Sequence, residues 1–195
     1  MVQLHHFSSY HDAAWIVAAL YCMLYGGVLV AALPSHSTGE DLGNTASGDP
    51  GLVTYHSREG AYSVRIPADW QPEGHGTNVG FISQHRGVRL RVIAAISRPS
   101  ARDLLAGPLV GLATSGRSVA IQSVRDTLVS DGPLVRIQYE AGSEPNVSTK
   151  KVVRLAKEAY VFYRGGRLTI LTVWAPVGTD DTSLWKQIVE SFVWC

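Results

Sequence analysis

From residue 52 to residue 174, hydrophobic and polar positions alternate repeatedly with a period of two, the signature of strands that bury one face. At 61–66, Tyr62, Val64 and Ile66 share one side while Ser63 and Arg65 share the other. At 87–96, Val88, Leu90, Val92, Ala94 and Ile96 oppose Arg89, Arg91 and Ile93. A strand over 52–56 precedes these, joined to 61–66 by Ser57, Arg58, Glu59 and Gly60, a length that suits a hairpin loop; Pro67 and Asp69 end the second strand. Phe81 and Ile82 belong to the strand paired with 87–96. Further strands are expected over 119–128, 134–140, 151–163 and 168–174. Asp131, Gly132 and Pro133 form one turn, and Arg164, Gly165, Gly166 and Arg167 a second that makes the last two strands a hairpin.

Helical spacing replaces this pattern twice. Ser100 and Asp103 have the arrangement of a capping box, opening a central helix whose continuation Gly107 and Pro108 weaken. Near the end, Leu184, Ile188 and Phe192 form an apolar stripe with Trp185 and Val189 beside it, which predicts a closing helix packed on the sheet. The order of hairpin, strands, helix, long meander and helix predicts an α+β domain: a central, mainly antiparallel sheet flanked by helices and preceded by one N-terminal apolar helix.

That first helix is expected over 13–33, where 21 consecutive residues carry no charge. At 1.5 Å per residue it would reach about 32 Å, enough to cross a membrane core. Two readings stand: an uncleaved transmembrane anchor, or a signal peptide cut after Ala32, with Val30 and Ala32 as the small residues at the cleavage positions. Tyr21 before Cys22 argues against a lipoprotein site. Residues 34–50, rich in Ser, Gly, Thr and acids, read as a flexible linker. The chain thus divides into a tail (1–12), an anchor or signal (13–33), a linker (34–50) and one domain (51–195).

Charge sharpens that division. All 17 Lys and Arg lie from Arg58 onward, against 12 of the 16 acids from Gly51 onward, so the domain carries a net +5. The positive-inside rule therefore gives no orientation for the apolar segment. Mild basicity suits an anionic partner without requiring one. Of the two cysteines, Cys22 lies in the apolar segment and Cys195 is the final residue, so no disulfide is expected.

The residues Tyr55, GAYSVRIPADW (60–70), Ala159, Tyr160 and Val161, LTIL (168–171) and IVESF (188–192) resemble the PsbP-like domain family over about 140 residues. The resemblance implies a central antiparallel sheet flanked by helices, with no shared catalytic residues. It extends to binding and accessory proteins and to exported bacterial members, and fold alone does not fix function.

No nucleophile elbow, Walker loop, Cys-x-x-Cys or zinc-protease motif occurs. GHGTNVG (74–80) lacks the helix that a dinucleotide loop requires and reads as a flexible loop. His56, His75 and His85 are spaced as in no local metal site, and neither a metal nor a cofactor is expected. The candidate binding residues are Arg65, Arg89, Arg91, Arg136 and Arg154, each inside an expected strand and opposite the apolar alternation. If their strands are neighbours they form one basic sheet face for a protein or an anionic envelope ligand; otherwise they pair with Glu140 and Glu158. Nucleic acid is not an expected partner. The expected role is a membrane-tethered, non-enzymatic binding or accessory domain outside the cytoplasm. The alternatives are an enzyme with a dispersed active site and a secreted domain freed by signal cleavage.

Overall fold

The computed structural model describes residues 51–115, 118–130, 132–146 and 148–195. The expected anchor at 13–33 and linker at 34–50 lie outside these residues. Among the described residues, no helix is long and apolar enough to cross a membrane.

Among the described residues, ten strands and three helices follow one another as β1 (Leu52–Ser57), β2 (Tyr62–Pro67), β3 (Gln71–His75), β4 (Asn78–Ser83), β5 (Arg86–Ala94), α1 (Ala101–Ala106), α2 (Pro108–Ser115), β6 (Ala120–Val129), β7 (Gly132–Gly142), β8 (Arg154–Arg164), β9 (Arg167–Pro176), α3 (Thr182–Glu190) and β10 (Val193–Trp194). They build a small sheet in the order β1-β2-β10 and a seven-stranded sheet in the order β3-β4-β5-β9-β8-β7-β6. Every pairing is antiparallel.

This corrects the expected α+β class, because the described residues are mainly β, with two antiparallel sheets and only three short helices. Part of the reason is local. Ser100 caps α1 as expected: its hydroxyl accepts from the Asp103 N–H at 3.2 Å, and Asp103 accepts from the Ser100 N–H at 2.9 Å. Gly107 then ends the helix after six residues, and Pro108, which lacks the N–H that a continuous helix would need, restarts it as α2. The second reason is a hairpin taken for a loop. Residues 74–80 belong to β3 and β4, turning at Gly76 with φ of +64°. The two-residue strand β10 adds the third member of the small sheet.

The seven-stranded sheet is covered on both sides. On one face, Val88, Leu90, Tyr160, Leu171 and Val173 pack under the small sheet and the α3 residues Trp185, Ile188 and Val189. On the other, Val135, Ile137, Ala159, Val161 and Ile170 pack under Leu104 of α1 and Leu109 of α2. Phe192 is buried as its spacing predicts, but it lies past the end of α3. There it joins an aromatic group, with ring centroids 4.3 Å from Phe162, 5.6 Å from Tyr62 and 5.5 Å from Trp194. Close packing also explains Gly60: a Cβ there would lie 2.3 Å from the Tyr62 ring.

Candidate functional site: a cleft under the last helix

A cleft of about 270 Å³ lies between α3 and strands β6 to β8. Trp185, Val129 and Val189 give it apolar lining, Thr127 and Lys186 line it as well, and the strands contribute a set of charged and polar side chains that forms its floor. Cross-strand register assembles that floor: Arg136 stands opposite Tyr160, and Gln138 opposite Glu158.

Glu158 is the centre of the group and is buried. Its carboxylate accepts from Arg136 Nε at 3.0 Å and Nη2 at 2.6 Å, from Gln138 Nε2 at 2.8 Å, and from the Tyr160 hydroxyl. Ser123 donates to Gln138 at 2.7 Å and so holds the amide orientation. The Arg136 guanidinium also lies 5.8 Å from the centroid of the Tyr160 ring.

These contacts set the protonation states. Burial alone would raise the Glu158 pKa, but donors from Arg136, Tyr160 and Gln138 together outweigh it, and the carboxyl is held below its ordinary range. Burial, reinforced by the adjacent Glu158 carboxylate, pushes the Tyr160 phenol well above its usual value. Hydrogen bonding to Glu158 raises Arg136 against the opposing effect of burial. Near neutral pH the three groups are therefore fixed as carboxylate, phenol and guanidinium.

The five candidate arginines fall at three places. Arg136 and Arg154 lie on the α3 face of the large sheet. Arg89 and Arg91 lie on the opposite face, since their neighbour Leu90 aligns through Leu171 with Tyr160. Arg65 is in the small sheet, where its backbone N–H donates to Ser191 Oγ at 2.8 Å. Acids engage several of the guanidinium groups: Arg136 pairs with Glu158, Arg154 with Glu140 at 3.0 Å, and Arg89 with Glu73 at 2.7 Å. Glu140 and Glu158 are the partners that the sequence offered. Among the described residues no three His, Cys, Asp or Glu side chains gather as metal ligands.

Tyr160 and Trp185 were legible only as core residues, and Gln138 carried no signal. Glu158 carried one, being an acid inside the run AKEAYVFY, which is otherwise built for the interior.

Against solved structures, cyanobacterial PsbP (CyanoP) from Synechocystis sp. PCC 6803 matches with a TM-score of 0.57, covering 79% of this chain and 99% of that one at 17% identity. The fold is PsbP-like. At that identity the likeness establishes the fold alone. Lower matches include the Ran-binding protein Mog1p of Saccharomyces cerevisiae, with a TM-score of 0.49, 8% identity and coverage of 73% and 94%. Protein PA94 of Pseudomonas aeruginosa gives 0.48, 15% identity and coverage of 73% and 96%. At these scores neither adds to the assignment. No protein-family model and no curated protein matches the chain.

Proposed function

We propose that this PsbP-like domain is a non-enzymatic binding or accessory module. It is held outside the cytoplasm by the apolar segment 13–33 and takes its ligand in the cleft between α3 and strands β6 to β8. If the segment is instead cut after Ala32, the same module is secreted and the binding reading is unchanged.

The observation that carries this reading is the saturated group around Glu158. Proton transfer is most effective from a group that titrates near the working pH. In this cleft every shift runs the other way, with the acid held down and the phenol and guanidinium held up. Such an array supplies a rigid recognition floor, ordered before any ligand arrives, which lowers the entropy cost of binding.

The test is native co-purification from crosslinked membranes, comparing the full-length chain with two variants. Thr127→Trp fills the cleft, and Arg89→Glu with Arg91→Glu reverses the opposite face. A partner lost from Thr127→Trp alone supports the cleft. Loss only from the arginine variant moves the binding surface to the other face, and turnover of a substrate abolished by Glu158→Gln would replace binding with catalysis.

A further inference from the structure

Arg125 of β6 stands directly opposite Arg136 of β7, on the α3 face beside the cleft. Directly opposed strand residues have Cβ atoms about 4.5 to 5.5 Å apart, and like charges so placed repel. Glu158 neutralises Arg136, but among the described residues Arg125 has no ion-pair partner and is exposed. The remaining charges at the cleft are Lys186 and Glu190, which face each other at 3.8 Å on α3. The charges that line the cleft thus balance, Arg136 with Glu158 and Lys186 with Glu190, and Arg125 beside them adds one positive charge. The wall next to it is apolar, formed by Trp185, Val129 and Val189.

We propose that the cleft ligand is a small organic anion with an apolar body, its carboxylate or phosphate ester seated between Arg125 and Arg136 and its body against Trp185 and Val129. This deepens the binding reading above and rests on it. Arg125 supplies the attraction that Arg136, already committed to Glu158, cannot supply alone, and the incoming anion relieves the arginine pair. A volume of about 270 Å³ falls just under the roughly 300 to 1,000 Å³ of sites for drug-sized ligands, which suits a single ring or a short alkyl chain.

The experiment is calorimetric titration of the full-length chain in phosphatidylcholine nanodiscs with four probes: 4-methylbenzoate, phenyl phosphate, 4-methylbenzamide and inorganic phosphate. The two amphiphilic anions are expected to bind, and the uncharged amide and bare phosphate to bind at least about tenfold more weakly. Whichever anion binds more tightly distinguishes a carboxylate from a phosphate ester. Arg125→Gln should weaken both anions about tenfold while leaving the amide unchanged and raising the thermal midpoint slightly, because the repulsion with Arg136 is removed, and Arg125→Lys should restore part of the lost binding. Equal binding of acid and amide, indifference to Arg125→Gln, or binding of none of the probes would each overturn the proposal. The cleft itself is judged separately, because loss of a co-purified partner from Thr127→Trp would stand even if every small anion failed.

Discussion

Replacing Arg136 by Leu removes the main counter-charge from a buried carboxylate and leaves Tyr160 and Gln138 as its partners. Breaking a fully buried ion pair costs about 3 to 5 kcal/mol. Here the pair is asymmetric, with 9% of the Glu158 side chain exposed against 36% of Arg136. Solvent reaches the arginine side, so the cost is discounted to about 2 kcal/mol. For a domain of this size that corresponds to a fall of about 6 °C in melting temperature at pH 7.

The effect of pH separates this account from simple loss of packing. In the wild type Glu158 titrates below the ordinary glutamate value of 4.5, so its stabilisation is present above that value and is lost as pH falls through the lowered one. In Arg136→Leu, burial acts with less opposition and the Glu158 pKa rises. The ionised form then costs stability at neutral pH, and protonation recovers it. The gap between wild type and variant should therefore narrow steadily between pH 7 and pH 4, as followed by calorimetric melting. The double variant Arg136→Leu with Glu158→Leu, which leaves no stranded charge, should recover most of the loss at pH 7. A gap that stays constant across this range, or a double variant no better than the single, would refute the reasoning.

Two further substitutions probe the sheet on which the cleft is built. Thr169 is fully buried and its hydroxyl has no hydrogen-bond partner among the described residues, so Thr169→Val should raise the melting temperature by about 3 °C, or about 1 kcal/mol; a fall would mean that the hydroxyl is satisfied. Gly87 lies against Trp174, where a Cβ would come within 2.3 Å of the indole Cζ2. Gly87→Ala should lower stability by about 1 to 2 kcal/mol, measured by urea unfolding, and the loss should shrink when Trp174 is also replaced by Ala.

The strand framework was largely legible because each hairpin carried its own punctuation. Gly165 and Gly166 occur where two consecutive positive φ angles, +56° and +80°, are needed, and β8 and β9 pair across them to Arg164 opposite Arg167. Ser100 and Asp103 marked the start of α1 for an equally local reason. What escaped was structure whose pattern is weak in a short window. β3 is exposed along its whole length and contains Pro72 and Gly74, so no burial pattern distinguished it from a loop. β10 has only two residues, and its place is set by pairing with β2, about 130 residues earlier in the chain.

The candidate site was less legible because period-two alternation identifies which residues share a face of one strand, but not which side of the sheet that face is. In β5 the apolar set is Val88, Leu90 and Val92, which packs toward α3, so Arg89 and Arg91 point to the α1 and α2 side. In β7 the apolar set is Val135, Ile137 and Tyr139, which packs toward α1 and α2, so Arg136 points to the α3 side. Both strands obey the same rule of apolar residues inward, yet the rule places their arginines on opposite faces, because each half of this sheet has its main cover on a different side. An arginine opposite an apolar stripe is therefore uninformative in a sheet covered on both faces until strand order is known. Once it is known, the same register brings Arg125 beside Arg136, a repulsive pair that would be costly to retain on a sheet with no use for it.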